Sequence, residues 1–392
     1  MKISINSVMS MLYYLGLTVY LIFMTLTQTM FFNYFRGSAY VIILIFIIGV
    51  SYFKELVSVL SKNTGVVDLI YLIIISAFTF FIGGNELLCT TALVYVSRDM
   101  EIKNIVKYTC FLLFIELIIV IFASKVGVIS SYSEMRGGLL RKYLGFRYFL
   151  YPSAIMFNIV AAYVYSYQKK IKLLTLFLFL ITTVYIYVNT YAKLSTIMII
   201  FMLFLAMLEK YFKIFEQGYL NNLLRYFKYI YVFLGILSIL IIGNYSSRIL
   251  WMEKLNYILE DRLNLANISL NLFGANLFGV KNLQWQGNGL SLSGIPILNT
   301  MNYLYVDNFY INIMQQYGIV FIVLLLILLT VTITKAVNVK SNCLVIILVV
   351  FAFHGLIDNL MLTLYYNIFL ITLFAKASSL QDKNKLTEEE KW

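Results

Sequence analysis

The segment YVDNFYINIMQQYGIVFI, Tyr305 to Ile322, returns the chain to a hydrophobic pattern that it leaves at Gly243. Between Gly243 and Asp307 the pattern is polar for more than sixty residues, whereas most of the remaining chain is one apolar stretch after another. That contrast sets the fold class as all-α: a polytopic membrane protein with one large excursion from the bilayer. An apolar run of about 20 residues crosses the hydrocarbon as a helix, since a helix satisfies its own backbone where no water can. The excursion carries Trp251 and Trp285, two of the three tryptophans, together with Arg248, Arg262 and Asp307. A chain otherwise immersed in lipid keeps polar mass of that size for a reason, so chemistry is expected there.

Composition agrees. Apolar residues make up 61% and charged residues 12% of the chain, against about 25% charged in a soluble domain. The net charge of +12 is read as lysines and arginines fixing loops on the cytoplasmic side, and no nucleic-acid partner is expected. Met1 to Ser7 is short with one lysine, and the apolar run after it is long enough to stay as a first helix, so no cleaved leader is expected. Cys89, Cys110 and Cys343 lie in or beside apolar segments without metal-ligand spacing and read as small packing residues.

Apolar stretches fall near residues 8–32, 38–53, 66–82, 86–97, 105–124, 149–167, 171–190, 194–208, 226–245, 309–333, 343–357 and 359–377. Twelve spans are expected, with eleven as the alternative, because 86–97 is short and 343–377 divides in more than one way. With the N-terminus inside, nineteen of the thirty basic residues fall on inner segments. Of the others, nine lie in two long outer loops, 125–148 and 246–308, and the short outer loops keep only Arg36 and Lys193. Short loops are the ones that set orientation, so both termini are expected in the cytoplasm. One transmembrane domain, 1–377, is expected to be followed by a polar, disordered tail, 378–392.

The first outer loop holds SSYSEMRGGLLRKYLGFRYFLYP, Ser130 to Pro152. Arg136, Arg141, Lys142 and Arg147 stand on the side where basic residues are least expected, and Arg136 precedes a Gly-Gly step. Arginine forks bind phosphate oxygens in bidentate fashion, so Arg136, Arg141 and Arg147 are candidates for holding a diphosphate. Headgroup anchoring and ion pairs with Glu134 are the alternatives. The second loop opens with Trp251 to Gly274, whose Leu255, Ile258, Leu259, Leu263 and Ala266 recur at helical spacing, predicting an amphipathic helix. GVKNLQWQGNGLSLSGIPILN follows, too rich in turn residues for a long helix. Trp285, among amides there, suits a sugar face, and equally an interfacial anchor.

Ionisable residues at membrane depth are site candidates because their burial is costly. Glu116 is central in 105–124 with no charge near it in sequence. His354, the only histidine, stands four residues before Asp358, on one helix face. An acid/base pair and an orienting hydrogen bond inside the bundle both fit. A zinc site is not expected from one histidine without an acidic cluster, and HGLID lacks the spacing of the membrane acyltransferases.

Three stretches resemble the Wzy-type polysaccharide polymerases, relatives of the O-antigen ligases. Leu139 to Asn158, LLRKYLGFRYFLYPSAIMFN, is similar to that family's first outer loop. Asn256 to Gly274, NYILEDRLNLANISLNLFG, is similar to its arginine-to-FG segment, with Arg262 at the arginine. Its spacing to Gly274 is one residue longer than the RX10G signature of some members. Tyr305 to Ile322 is similar to the return helix, with Asp307 where ligases usually carry histidine. The resemblance implies a GT-C-like helical fold and metal-independent glycosyl transfer, without a cofactor, on the outer face of the bacterial cytoplasmic membrane. A glycan on undecaprenyl diphosphate would move to the terminal sugar of a new lipid-linked repeat unit. Arg262, Arg136 and Arg141 would supply charge to the leaving diphosphate, Asp307 would act as base, and Trp285 and Asn308 would contact sugar. A chain-length regulator and a flippase are the implied protein partners. Two other activities remain open: a ligase moving finished glycan to a final acceptor, and a flippase for the lipid-linked unit. The nearly charge-free spans weigh against the flippase.

Overall fold

Apolar stretches become helices wherever their own length lets the backbone close its hydrogen bonds. The computed structural model describes residues 5–35, 37–136, 138–291, 294–297 and 303–380. The helices are α1 (Ile5–Thr27), α2 (Ser38–Leu60), α3 (Val66–Val96), α4 (Ile102–Lys125), α5 (Tyr151–Tyr167), α6 (Leu173–Thr190) and α7 (Lys193–Phe212). They continue as α8 (Gly218–Leu224), α9 (Ile230–Gly243), α10 (Leu250–Ile258), α11 (Arg262–Phe273), α12 (Phe309–Tyr317), α13 (Ile319–Asn338) and α14 (Asn342–His354). Eight helical stretches among the described residues are long and apolar enough to cross a membrane, with α8 and α9 joined as one and α14 shorter. This is a polytopic membrane protein. Helix α5 is buried on every side from Pro152 to Ser166, the mark of a helix at the centre of a bundle.

Helix α3 is a hairpin. At 1.5 Å per residue a straight helix would set Asp68 and Tyr95 about 40 Å apart, yet the Tyr95 hydroxyl donates to the Asp68 carbonyl at 3.0 Å. The reversal is at Gly84, with φ 64° and ψ −159°, a backbone state that glycine adopts without a Cβ penalty. Its two arms correspond to the separate stretches expected at 66–82 and 86–97.

The stretch expected as a last helical span, 359–377, departs from helix. Beyond His354 the chain runs through turns and two short 3-10 segments, Leu360–Leu362 and Ile368–Thr372. Irregular backbone at membrane depth persists only where protein satisfies it, and here the neighbours do. The Asn158 amide of α5 donates to the Leu364 and Tyr365 carbonyls, both at 3.1 Å, and accepts from the Ile368 N–H at 3.1 Å. Lys335 donates to the Ala375 carbonyl at 3.1 Å.

The ends of the helices sort onto two faces. Asn6, Lys54, Arg98 and Lys376 line one cavity of ≈ 590 Å³, so the first and last described segments share a face. Arg98 closes on Glu55 there with two hydrogen bonds, at 2.6 and 3.0 Å. The two long loops meet on the opposite face. The first contains an antiparallel hairpin, β1 (Ser133–Arg136) with β2 (Leu139–Lys142), in register Glu134 to Arg141. The second holds α10, α11 and a two-residue ladder, β3 (Gly289–Leu290) with β4 (Pro296–Ile297). The single amphipathic helix expected over Trp251 to Gly274 is broken instead at Glu260 and Asp261, which take φ 54° and 70°. Residues 381–392 of the expected tail, and Arg36, lie outside the described residues.

Candidate functional site

The break between α10 and α11 aims Arg262. Asn256 donates to the Asp261 carboxylate at 2.7 Å and accepts the Asn264 N–H at 3.0 Å, so one side chain fastens both sides of the break. Arg262 opens α11, with its Nε 3.3 Å from Oδ2 of Asp307. Asp307 is set by the start of α12. Asn308 is that helix's N-cap, its side-chain oxygen accepting the Ile311 N–H at 3.1 Å as capping requires. The same start is tied to the turn beyond α14: Phe309 N–H donates to the Gly355 carbonyl at 2.8 Å, and Asn308 donates to Leu356 at 3.3 Å.

Those ties bring Asp358 beside Asp307. Both carboxylates line a cleft of ≈ 90 Å³, walled by Tyr148, Tyr151, Tyr303 and Tyr305. The Tyr305 hydroxyl accepts from Asn359 at 3.0 Å, and Asp358 accepts the Leu360 N–H at 2.8 Å. Burial pushes the Asp358 carboxyl up to about 6, against the lowering pull of the Leu360 N–H and Arg262. For Arg262 burial opposes the charge, but Asp307 and Asp358 outweigh it and hold the guanidinium above its ordinary range. Two carboxylates in a small, aromatic cleft, with a cation paired to one of them, can stabilise one developing negative charge and accept one proton.

No family model, curated protein or solved structure matches this chain.

The remaining candidates distribute as follows. His354 Nε2 lies 3.9 Å from Asp358 Oδ2, too long for a hydrogen bond, and its ring packs on Phe157 with centroids 4.5 Å apart. The pair flagged within the membrane thus adjoins the loop pair, and two sites become one. Arg147 is a fastener: Nε and Nη2 donate to the Leu290 carbonyl at 3.2 and 3.1 Å, and Nη1 to the Thr27 carbonyl at 3.1 Å. It ties both long loops to the end of α1. Arg141 stacks on Phe149 at 4.6 Å, and its Nε has no hydrogen-bond partner among the described residues. The side chain of Arg136 lies outside the described residues.

Trp285 donates from Nε1 to the Ser269 hydroxyl at 2.8 Å and meets Tyr305 edge to face at 5.8 Å, so it braces a wall of the cleft. Asn308 is 4% exposed and its amide also donates to Ser238 at 3.2 Å, a cap and cross-tie inside the bundle. Glu116 is buried on α4, and neither carboxylate oxygen has a hydrogen-bond partner among the described residues. The four tyrosines were not singled out from sequence. With 32 tyrosines in the chain, residue type alone does not mark them; the placement of Tyr303 and Tyr305 just before Asp307, and of Tyr148 and Tyr151 at the end of the first loop, is the only signal.

Proposed function

We propose that this chain is a Wzy-type polymerase, transferring a growing glycan from undecaprenyl diphosphate to the terminal sugar of a new lipid-linked repeat unit. The observation that carries the reading is that Asp307 and Asp358 line one tyrosine-walled cleft, with Arg262 paired to Asp307. In the transfer, the acceptor hydroxyl oxygen bonds to the anomeric carbon, the bond from that carbon to the diphosphate breaks, and the hydroxyl proton passes to a carboxylate. Asp307 was the expected base, but its carboxylate is engaged by Arg262 at 3.3 Å. Asp358, pushed up to about 6, is the better base. Arg262, oriented by Asp307, supplies fixed positive charge to the departing diphosphate. Tyrosine rings cover the apolar faces of sugars while their hydroxyls reach hydroxyl groups. The reading carries with it twelve crossings, a GT-C-like fold, an outer-facing cleft, the bacterial cytoplasmic membrane, and a flippase and chain-length regulator as partners.

The test is deletion of the gene and complementation, with lipid-linked and surface glycans sized by gel. Deletion is expected to collapse the ladder to one repeat unit. Long chains stranded on the lipid carrier would mean a ligase, and single units held inside the cell a flippase. Arg262→Ala and Asp358→Asn, expressed at normal level, are each expected to slow polymerisation by about 10²-fold or more. In vesicles the wild-type rate rises with pH through about 6 as Asp358 loses its proton, and Asp358→Asn removes that limb. Full-length polymer from both variants would sink the assignment.

A further inference from the structure

At the helix ends on the face shared by the first and last described segments, α4, α5 and α6 leave a groove of ≈ 230 Å³ between them. Its mouth is flanked by Lys107, in the second turn of α4, and Lys172, just before α6. Its depth is aromatic. Phe114 and Phe179 meet edge to face with centroids 5.4 Å apart, and Phe179 meets Tyr163 in the same way at 5.2 Å. Phe111 is 65% exposed on the open side.

The groove separates charge from apolar surface along one direction. Lys107 Nζ stands 5.5 Å from the Tyr167 ring centroid, a cation–π distance, while the Lys172 backbone N–H donates to the Tyr163 hydroxyl at 2.9 Å. Both lysine side chains are exposed, neither makes an ion pair among the described residues, and no carboxylate lines the groove. Two ammonium groups at headgroup level above an aromatic slot match an amphiphile with an anion at one end and a hydrocarbon tail at the other. A zwitterionic headgroup would bring its own cation against both lysines.

We propose that this groove is a binding site for one anionic phospholipid, with its phosphate between Lys107 and Lys172 and an acyl chain along Phe111, Phe114 and Phe179. Basic pockets between transmembrane helices hold anionic headgroups by the same physics. The site is independent of the cleft at Asp358, so it stands or falls separately from the polymerase reading.

Native mass spectrometry of the purified full chain tests it, with phosphatidylglycerol or phosphatidylcholine of equal chain length added in detergent. The wild type is expected to retain one phosphatidylglycerol in preference to phosphatidylcholine. Each lysine near an anionic lipid contributes about fivefold, so Lys107→Gln with Lys172→Gln is expected to weaken that one binding event by roughly twenty- to thirtyfold. Thr175→Phe, which fills the groove and keeps both charges, is expected to lose it too. Arg225→Gln with Lys340→Gln, an equal loss of charge elsewhere on the same face, is expected to keep it. No preference in the wild type, unchanged binding in the double variant or in Thr175→Phe, or equal loss in the control pair would each overturn the proposal. Displacement of phosphatidylglycerol by equimolar undecaprenyl phosphate would assign the groove to a polyprenyl carrier and overturn it as well.

Discussion

Arg262 and Asp307 are nearly enclosed, with side chains 11% and 16% exposed. At that depth each charge is tolerated because of the other, since an unpaired buried ion costs several kcal/mol. The pair therefore makes a stability prediction that does not depend on the reaction. Arg262→Met and Asp307→Asn are each expected to lower the unfolding temperature, and the double variant to lose less than their sum, with a coupling of about 0.5–3 kcal/mol. Thermal unfolding of the four proteins in detergent measures it; strict additivity would show that the 3.3 Å approach carries no energy. Both residues were legible as candidates because a polar residue in a chain this apolar stands out. Their company with Asp358 was not legible. Asp358 looked like the partner of His354 through helical spacing, and that spacing held only as far as His354, where α14 ends. The links that join it to Asp307 are backbone bonds from Phe309 to Gly355 and side-chain bonds from Asn308 to Leu356, which no sequence pattern announces.

At the scale of elements, hydropathy located nearly every segment and misjudged how some of them cross. The hairpin at Gly84 was visible as a dip between two apolar stretches, and the structure turns the chain there. The stretch after His354 was not visible as irregular. Its composition is as apolar as a helix, and the polar residues within it, Asn359, Thr363 and Asn367, read individually as ordinary helix contents. What makes the departure possible lies far away in sequence, on α5. Asn158 is fully buried and satisfies three backbone groups of the returning segment. Replacing it by leucine leaves two carbonyls and one N–H unmet in a dry interior, at about 1–3 kcal/mol each. Asn158→Leu is expected to destabilise the protein by at least about 2 kcal/mol and to loosen the turn that carries Asp358. Ser166→Ala on the same helix, whose buried hydroxyl has no hydrogen-bond partner among the described residues, is expected to change stability little. Equal melting of the two variants would mean that the return is held by apolar packing alone. The join of α12 to α13 is shaped by the same economy of space: Gly318 has φ 97°, and a Cβ there would stand 2.3 Å from the Leu277 carbonyl oxygen.

Across the whole molecule, the distribution of basic residues and the packing of the helix ends agree without sharing an assumption. The positive-inside rule divided the loops into two sets by counting lysines and arginines. The structure divides them by contact. Lys54, Asn63, Arg98 and Lys376 gather around one cavity, Lys210 donates to the Ile171 carbonyl at 2.7 Å, and Asn342 donates to Phe215 at 2.9 Å. On the other face Thr29 pairs with Phe146, and Arg147 joins Thr27 to Leu290. Contact tells which loops share a face, and charge gives only the expectation of which face is cytoplasmic, so that orientation is testable with four single cysteines. The native Cys89, Cys110 and Cys343 are buried, so a membrane-impermeant maleimide applied to intact cells reads only the introduced thiols. Lys142→Cys and Lys281→Cys, exposed on the two long loops, are expected to label without permeabilisation. Asn63→Cys and Ser378→Cys, exposed at the rim of the shared cavity, are expected to label only after the membrane is opened. If all four exchanged behaviour, the fold would stand while the cleft at Asp307 and Asp358 faced the cytoplasm, where polymerisation on the outer surface is impossible. If either pair split, the alternation of faces itself would be wrong, and with it the joining of the two polar loops over one cleft.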